Sequence, residues 1–117
     1  MYNAAIVGAG PAGIFTALEL VKLKPDWKII LIEKGSKIEK RACLLRNGYK
    51  SCPSCKTCGL LCGWGGAGAF SDGKLTLTPE VGGHLPEYMP YKDVEDLIKY
   101  CDDIYLEHGA TDVVYGV

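Results

Sequence analysis

Three glycines spaced as Gly8-x-Gly10-x-x-Gly13 follow the apolar run Ala4-Ala-Ile-Val7 and open a segment of helical character. In that setting each glycine has a separate physical role. Gly8 permits a tight turn, Gly10 lets the backbone approach a pyrophosphate, and Gly13 lets helix and strand pack closely. The small residues Ala9, Pro11 and Ala12 complete the turn, and the start of the helix offers free N–H groups and a positive dipole end to phosphate oxygens. Glu33 stands twenty residues beyond Gly13. A carboxylate at the end of the second strand accepts hydrogen bonds from ribose hydroxyls and disfavours a 2′-phosphate, which speaks against NADP at this position. Ala9, Pro11, Ala12, Glu33 and Lys34 therefore join the three glycines as candidate dinucleotide contacts.

A second glycine-rich segment runs Gly63-Trp-Gly-Gly-Ala-Gly-Ala-Phe-Ser-Asp-Gly-Lys-Leu75. Its glycines allow backbone to come close to a ligand, and successive N–H groups there can form an anion-binding nest. Gly65, Gly66, Ala67 and Gly68 are the candidate contacts. Ser71, Asp72 and Lys74 read equally well as a plain turn. Trp64 has two readings, a ring stacked on a cofactor or a ring packed under the loop.

GAGPAG followed by LIEKG, together with GGAGAFSDGKL, resembles the family of NAD(P)/FAD-dependent oxidoreductases, or FAD-dependent dehydrogenases, over residues 1–77. The resemblance implies a Rossmann-like fold whose first unit binds the ADP half of FAD, with the Gly65–Gly68 loop close to the flavin. It also implies hydride or electron transfer in the complete protein. Members of that family are several times longer and complete the flavin pocket late in the chain. The expectation is accordingly a fragment, one piece of a split protein or a misassigned reading frame, with the remainder of the protein or a redox partner as its associate. No residue receives a catalytic role.

A third pattern is Cys52-x2-Cys55-x2-Cys58-x3-Cys62. Disulfides between such near neighbours would close very small loops. The spacing is that of the bacterial ferredoxin run holding a [4Fe–4S] cluster, although Gly63 replaces the usual proline and no second run is present. Four thiolates also suit zinc, two can form a redox pair, and cysteines can be small packing residues. In a single cluster Cys62, Cys43 or Cys101 would supply the fourth ligand. A small metal-binding module, or a non-catalytic nucleotide-binding fragment, is thus the alternative to a flavoprotein portion.

The elements that must position these residues read as an α/β arrangement. Ala4–Val7 and Ile29–Ile32 are buried parallel strands, joined by a helix over residues 12–24 that Pro25 stops. Residues 1–34 form this dinucleotide unit. Residues 35–83 form a Gly/Cys-rich segment without periodicity, apart from a short strand expected at 74–78. Residues 92–108 repeat apolar positions at helical spacing, with Cys101 on the apolar stripe and Gly109 as the stop, and residues 111–117 begin another strand. His84 reads as a loop residue and His108 as a helix-end residue that suits the dipole. Lys34, Lys37, Lys40 and Arg41 read as a solvated basic face, the alternative being that one of them reaches a phosphate.

The 117 residues carry 13 Lys+Arg against 14 Asp+Glu, a net charge of −1, so no basic excess suggests nucleic acid. Glycines interrupt the apolar N-terminal third, which falls short of a membrane span, and no basic segment precedes it as in a secretory signal. The expected location is the cytoplasm.

Overall fold

The computed structural model describes residues 1–114 and divides the chain into two compact units, Met1–Gly73 and Lys74–Val117. The architecture is mixed α/β. Strand β1, Ala4–Val7, and strand β2, Ile29–Ile32, pair in parallel with register from Ala4 opposite Ile29 to Val7 opposite Ile32. Beyond that ladder, Gly8 N–H donates to the Ile32 carbonyl at 2.7 Å. At the other end, Asn3 N–H reaches the Lys28 carbonyl and Lys28 N–H reaches Asn3 Oδ1, both at 2.8 Å. The strands are short, and these two closures fix their register.

Helix α1, Pro11–Leu23, begins with proline in its first turn, where a missing N–H costs nothing because no intrahelical acceptor exists. It ends at Lys24, whose N–H still reaches the Leu20 carbonyl. Pro25 has no N–H with which to continue the ladder. The apolar residues of α1 do surround more than one face, as expected. Ile14, Phe15, Ala17 and Leu20 are half-buried, whereas Leu18 and Val21 are exposed.

Apolar burial alone does not hold the first unit together. Val7 is 84% exposed, and Ala9 is its one fully buried apolar residue. Arg41 is buried as well, at 7% exposure. Its place corrects the expectation of a solvated basic face: Lys34, Lys37 and Lys40 are exposed, but Arg41 turns inward. The physical reason is that the segment after it folds back and presents four carbonyl groups, which only a guanidinium has enough donors to satisfy together.

The second unit contains helix α2, Tyr91–Glu107, with Val94 buried and Ile98, Cys101 and Ile104 half-buried along the expected stripe. Gly109 follows with φ +92°, and Ala110 N–H closes on the Tyr105 carbonyl at 2.9 Å. His108 Nδ1 lies 2.8 Å from the Ile104 carbonyl oxygen, a helix-end contact. His84 faces Glu87 at 3.1 Å on the surface. Residues 74–78 do not form the expected strand. Leu75 and Leu77 are 48% and 43% exposed, so the alternation there has no face to bury. Residues 111–114 are likewise not a strand, and the rest of that expected element, 115–117, lies outside the described residues. Among the described residues no helix is long and apolar enough to cross a membrane.

Candidate dinucleotide site

The turn between β1 and α1 is built by close approach. A Cβ on Gly13 would run into the Gly8 carbonyl oxygen and come within 3.4 Å of Ile6 Cγ2, so α1 can begin where it does only with glycine there. Ala12 and Gly13 lie in the first helical turn, where N–H groups have no intrahelical acceptor. None of the described hydrogen bonds takes them. They face outward from a helix start with its partial positive charge, which is the electrostatic requirement for phosphate.

Glu33 sits just past β2, half-buried. Its Oε2 accepts the Ala9 N–H at 2.8 Å, and its Oε1 accepts the N–H groups of Gly35 at 2.8 Å and Gly63 at 3.0 Å. One carboxylate therefore ties the first glycine turn, the exit of β2 and the second glycine segment. The Ala9 and Gly35 N–H groups, joined by Gly63 and the nearby Lys34 charge, hold this carboxyl below its ordinary value against the opposing effect of burial. A carboxylate offers about four lone-pair positions, and three are used, which leaves room for one ribose hydroxyl. Glu33 stands at the end of β2, where the sequence places it, and the acceptor role observed there is toward backbone N–H groups. Nothing in the sequence signals that backbone N–H groups from three loops would converge on it.

The second glycine segment lies directly on the first. Gly65 N–H donates to the Ala9 carbonyl at 2.8 Å, and Trp64 N–H donates to the Ser36 carbonyl at 3.1 Å. Ala9 is fully buried, and both its backbone polar groups are occupied. Gly66 adopts φ 62°, ψ −156°, a conformation open essentially to glycine alone. A Cβ on Gly66 would stand 3.0 Å from Gly10 Cα and 3.4 Å from Pro11 Cδ. Ala67 and Gly68 then enter a 3-10 turn, Ala67–Phe70. Gly8, Gly10, Pro11, Glu33, Gly65 and Gly66 are thus brought together. Trp64 is 41% exposed and is not packed away beneath the loop.

Arg41 holds this arrangement from behind. Its Nε donates to the Gly59 carbonyl at 2.9 Å and its Nη2 to Leu60 at 2.7 Å. Nη1 donates to the Trp64 carbonyl at 2.6 Å and to Gly66 at 2.7 Å. The guanidinium also lies 4.7 Å from the Phe70 ring centroid. The residues next to Arg41 in sequence carry no signal of this role.

The cysteine run is only partly gathered. Cys62 N–H donates to the Cys58 carbonyl at 2.8 Å, which puts these two half-buried residues on one turn. Cys55 and Cys62 both line a cleft of about 370 Å³ with Lys34, Ser36, Lys40 and Thr57. Cys52 and Cys55 are exposed, and Cys43 and Cys101 are half-buried. Among the described residues no disulfide joins any of the six cysteines. Among the described residues no three His, Cys, Asp or Glu side chains converge as metal ligands.

No family model matches the sequence, and no solved structure matches it. An uncharacterised protein of Clostridium beijerinckii is 44% identical to the chain over 71 residues, which is 61% of this chain. The matched stretch is 13% of the relative's own length, so this chain is similar to a small part of a much longer protein.

Proposed function

We propose that the chain binds the adenosine and pyrophosphate part of FAD as a portion of a flavin-dependent oxidoreductase, with a Rossmann-like unit at residues 1–34. The observation that carries this reading is the apposition of two glycine segments at the start of α1, with Gly65 N–H on the Ala9 carbonyl and Glu33 tied to both. The N–H groups of Ala12 and Gly13 donate to pyrophosphate oxygens, and Gly10 keeps the backbone low enough for the phosphates to approach. The remaining acceptor position of Glu33 takes a ribose hydroxyl. Lys34, exposed beside it, offsets the charge of the phosphates. Ala67 and Gly68, one step beyond Gly66, border the pyrophosphate and the flavin side of the site. When bound, the flavin supplies hydride or electron transfer through its ring. The chain's own residues bind and orient the nucleotide, and the substrate chemistry belongs to the whole protein.

The test is titration calorimetry of the chain with ADP, NAD and FAD, with an absorption spectrum of the protein as purified. FAD binding tighter than ADP or NAD, with flavin bands near ~450 nm, supports the reading. Binding of ADP, NAD and FAD with equal affinity favours a nucleotide-binding piece without flavin preference. Absence of binding by all three removes the reading.

The cysteine run carries a second reading, a thiolate site for an iron–sulfur cluster or zinc, favoured by Cys55 and Cys62 sharing one cleft and by Cys58 standing one turn from Cys62. Metal and sulfide analysis of anaerobically purified protein decides it. Stoichiometric iron with sulfide, or stoichiometric zinc, supports the thiolate site, and metal-free protein ends it.

A further inference from the structure

Arg41 is a buried cation with no anion beside it. Its four hydrogen bonds all go to neutral carbonyl groups, and no ion pair joins Arg41 or Arg46 to a carboxylate among the described residues. A guanidinium has five N–H donors, so one Nη2 hydrogen stays without an acceptor. Buried charges are ordinarily paired, because the interior does not replace the hydration they lose. The residue at 7% exposure also forms a wall of a cleft of about 200 Å³, shared with Cys43, Arg46, Asn47, Leu60 and Phe70. No aspartate or glutamate lines that cleft. The Arg46 guanidinium has no hydrogen-bond partner among the described residues, and it lies 5.5 Å from the Phe70 centroid, against 4.7 Å for Arg41.

We propose that this cleft is a binding site for a small organic acid, whose carboxylate is held by Arg46, Asn47 and the spare Arg41 donor and whose apolar part rests on Leu60 and Phe70. Two guanidinium groups with no acid between them create a local positive potential that selects an anion. The planar fork of Arg46 matches the two oxygens of a carboxylate, and Arg41 adds its one spare donor. The apolar wall argues for an acid carrying a hydrocarbon part over a fully hydrated ion such as phosphate. Size agrees, since an apolar cavity of about 150 Å³ accommodates benzene, and a somewhat larger one with a cationic side accommodates benzoate. The site goes beyond the nucleotide reading, and its binding does not depend on that reading. Arg41 nevertheless connects the two places, because the same guanidinium that would meet the acid holds the Gly66 carbonyl of the second glycine segment.

The test titrates the full chain with sodium benzoate and with benzamide, its neutral isostere, at low ionic strength. Benzoate is expected to bind at one site and benzamide at least tenfold more weakly. Arg46→Gln should lower benzoate affinity at least tenfold, and Arg46→Lys should keep part of it. ADP binding by Arg46→Gln should stay unchanged. Equal affinity for benzoate and benzamide overturns the proposal, as does full benzoate affinity in Arg46→Gln. Displacement of benzoate by inorganic phosphate at equal concentration overturns the choice of an organic acid. The comparison of benzoate with benzamide uses the unaltered chain and needs no variant to fold. Failure of ADP to bind would remove the nucleotide reading and leave this result standing.

Discussion

Glu33 Oε2 accepts the N–H of Ala9 at 2.8 Å, across 24 residues of sequence. Ala9 returns the link by accepting Gly65 N–H through its carbonyl, so a side chain at the end of β2 fixes the glycine turn and, through it, the second glycine segment. The consequence is a site whose shape depends on one ionised carboxylate. Because hydrogen bonding to the charged form depresses the Glu33 carboxyl, its contribution to stability is fully present above the ordinary glutamate value of about 4.3 and is lost as pH falls through the depressed folded value. Nucleotide affinity and the melting temperature of the chain should therefore fall together on acidification below about pH 4. A pH series of thermal melts checks this, and a profile flat down to pH 3 would contradict it.

Replacing Glu33 by glutamine sharpens the same point. Glutamine retains one oxygen but turns an NH2 group toward a backbone donor, so either Ala9 or the Gly35 and Gly63 pair loses its acceptor. Glu33→Gln should weaken ADP binding about tenfold, a loss comparable to one charge-assisted hydrogen bond, and should remove the acid dependence. Calorimetry with ADP at pH 7, paired with melts at low pH, reads both. Unchanged ADP affinity with a normal melt would mean that the carboxylate supports neither the turn nor the ribose.

Much of this framework is legible in the sequence for a local reason. The runs Ala4–Val7 and Ile29–Ile32 and the glycines between them are each defined by neighbours within a few residues. Arg41 is a different case. Its role depends on carbonyls 18 to 25 residues away, and nothing in its own neighbourhood announces them. The expected strand at 74–78 failed for the converse reason. Leu75 and Leu77 alternate with polar residues, but both remain largely exposed, since period-two patterning specifies a strand where one of its faces is buried. Glu33 lies between these cases, because its position was readable while its three N–H partners depend on how the loops fold back.

Arg41 should be less replaceable than any lysine near it. A lysine ammonium has three donors on a point charge and cannot span four carbonyls arranged around a planar fork. Arg41→Lys should destabilise the chain by about 1–3 kcal/mol, and Arg41→Met by more, because the Gly59, Leu60, Trp64 and Gly66 carbonyls then lose their donor. Lys37→Met and Lys40→Met, at exposed positions, should change stability by no more than about 0.5 kcal/mol. Urea unfolding of the four variants distinguishes this pattern from a generic effect of lost charge, which would make the three Met variants alike and leave Arg41→Lys unchanged.

The two glycine segments can be separated by one methyl group at Gly66. Its backbone, φ 62° and ψ −156°, lies where a side chain costs about 1–3 kcal/mol, and the new Cβ would press on Gly10 Cα at 3.0 Å. Gly66→Ala should accordingly lift the second segment off the turn and weaken FAD binding more than it weakens ADP binding, since Ala67 and Gly68 lie toward the flavin side in the proposed site. Gly13→Ala acts differently. It drives a methyl group into the Gly8 carbonyl and displaces the start of α1, so it should weaken ADP and FAD by the same factor. Calorimetric titration of both variants with both nucleotides yields the comparison. If Gly66→Ala reduces ADP and FAD affinity equally, the second glycine segment supports the turn but does not border the flavin, and the resemblance in GGAGAFSDGKL carries no contact with that part of the cofactor.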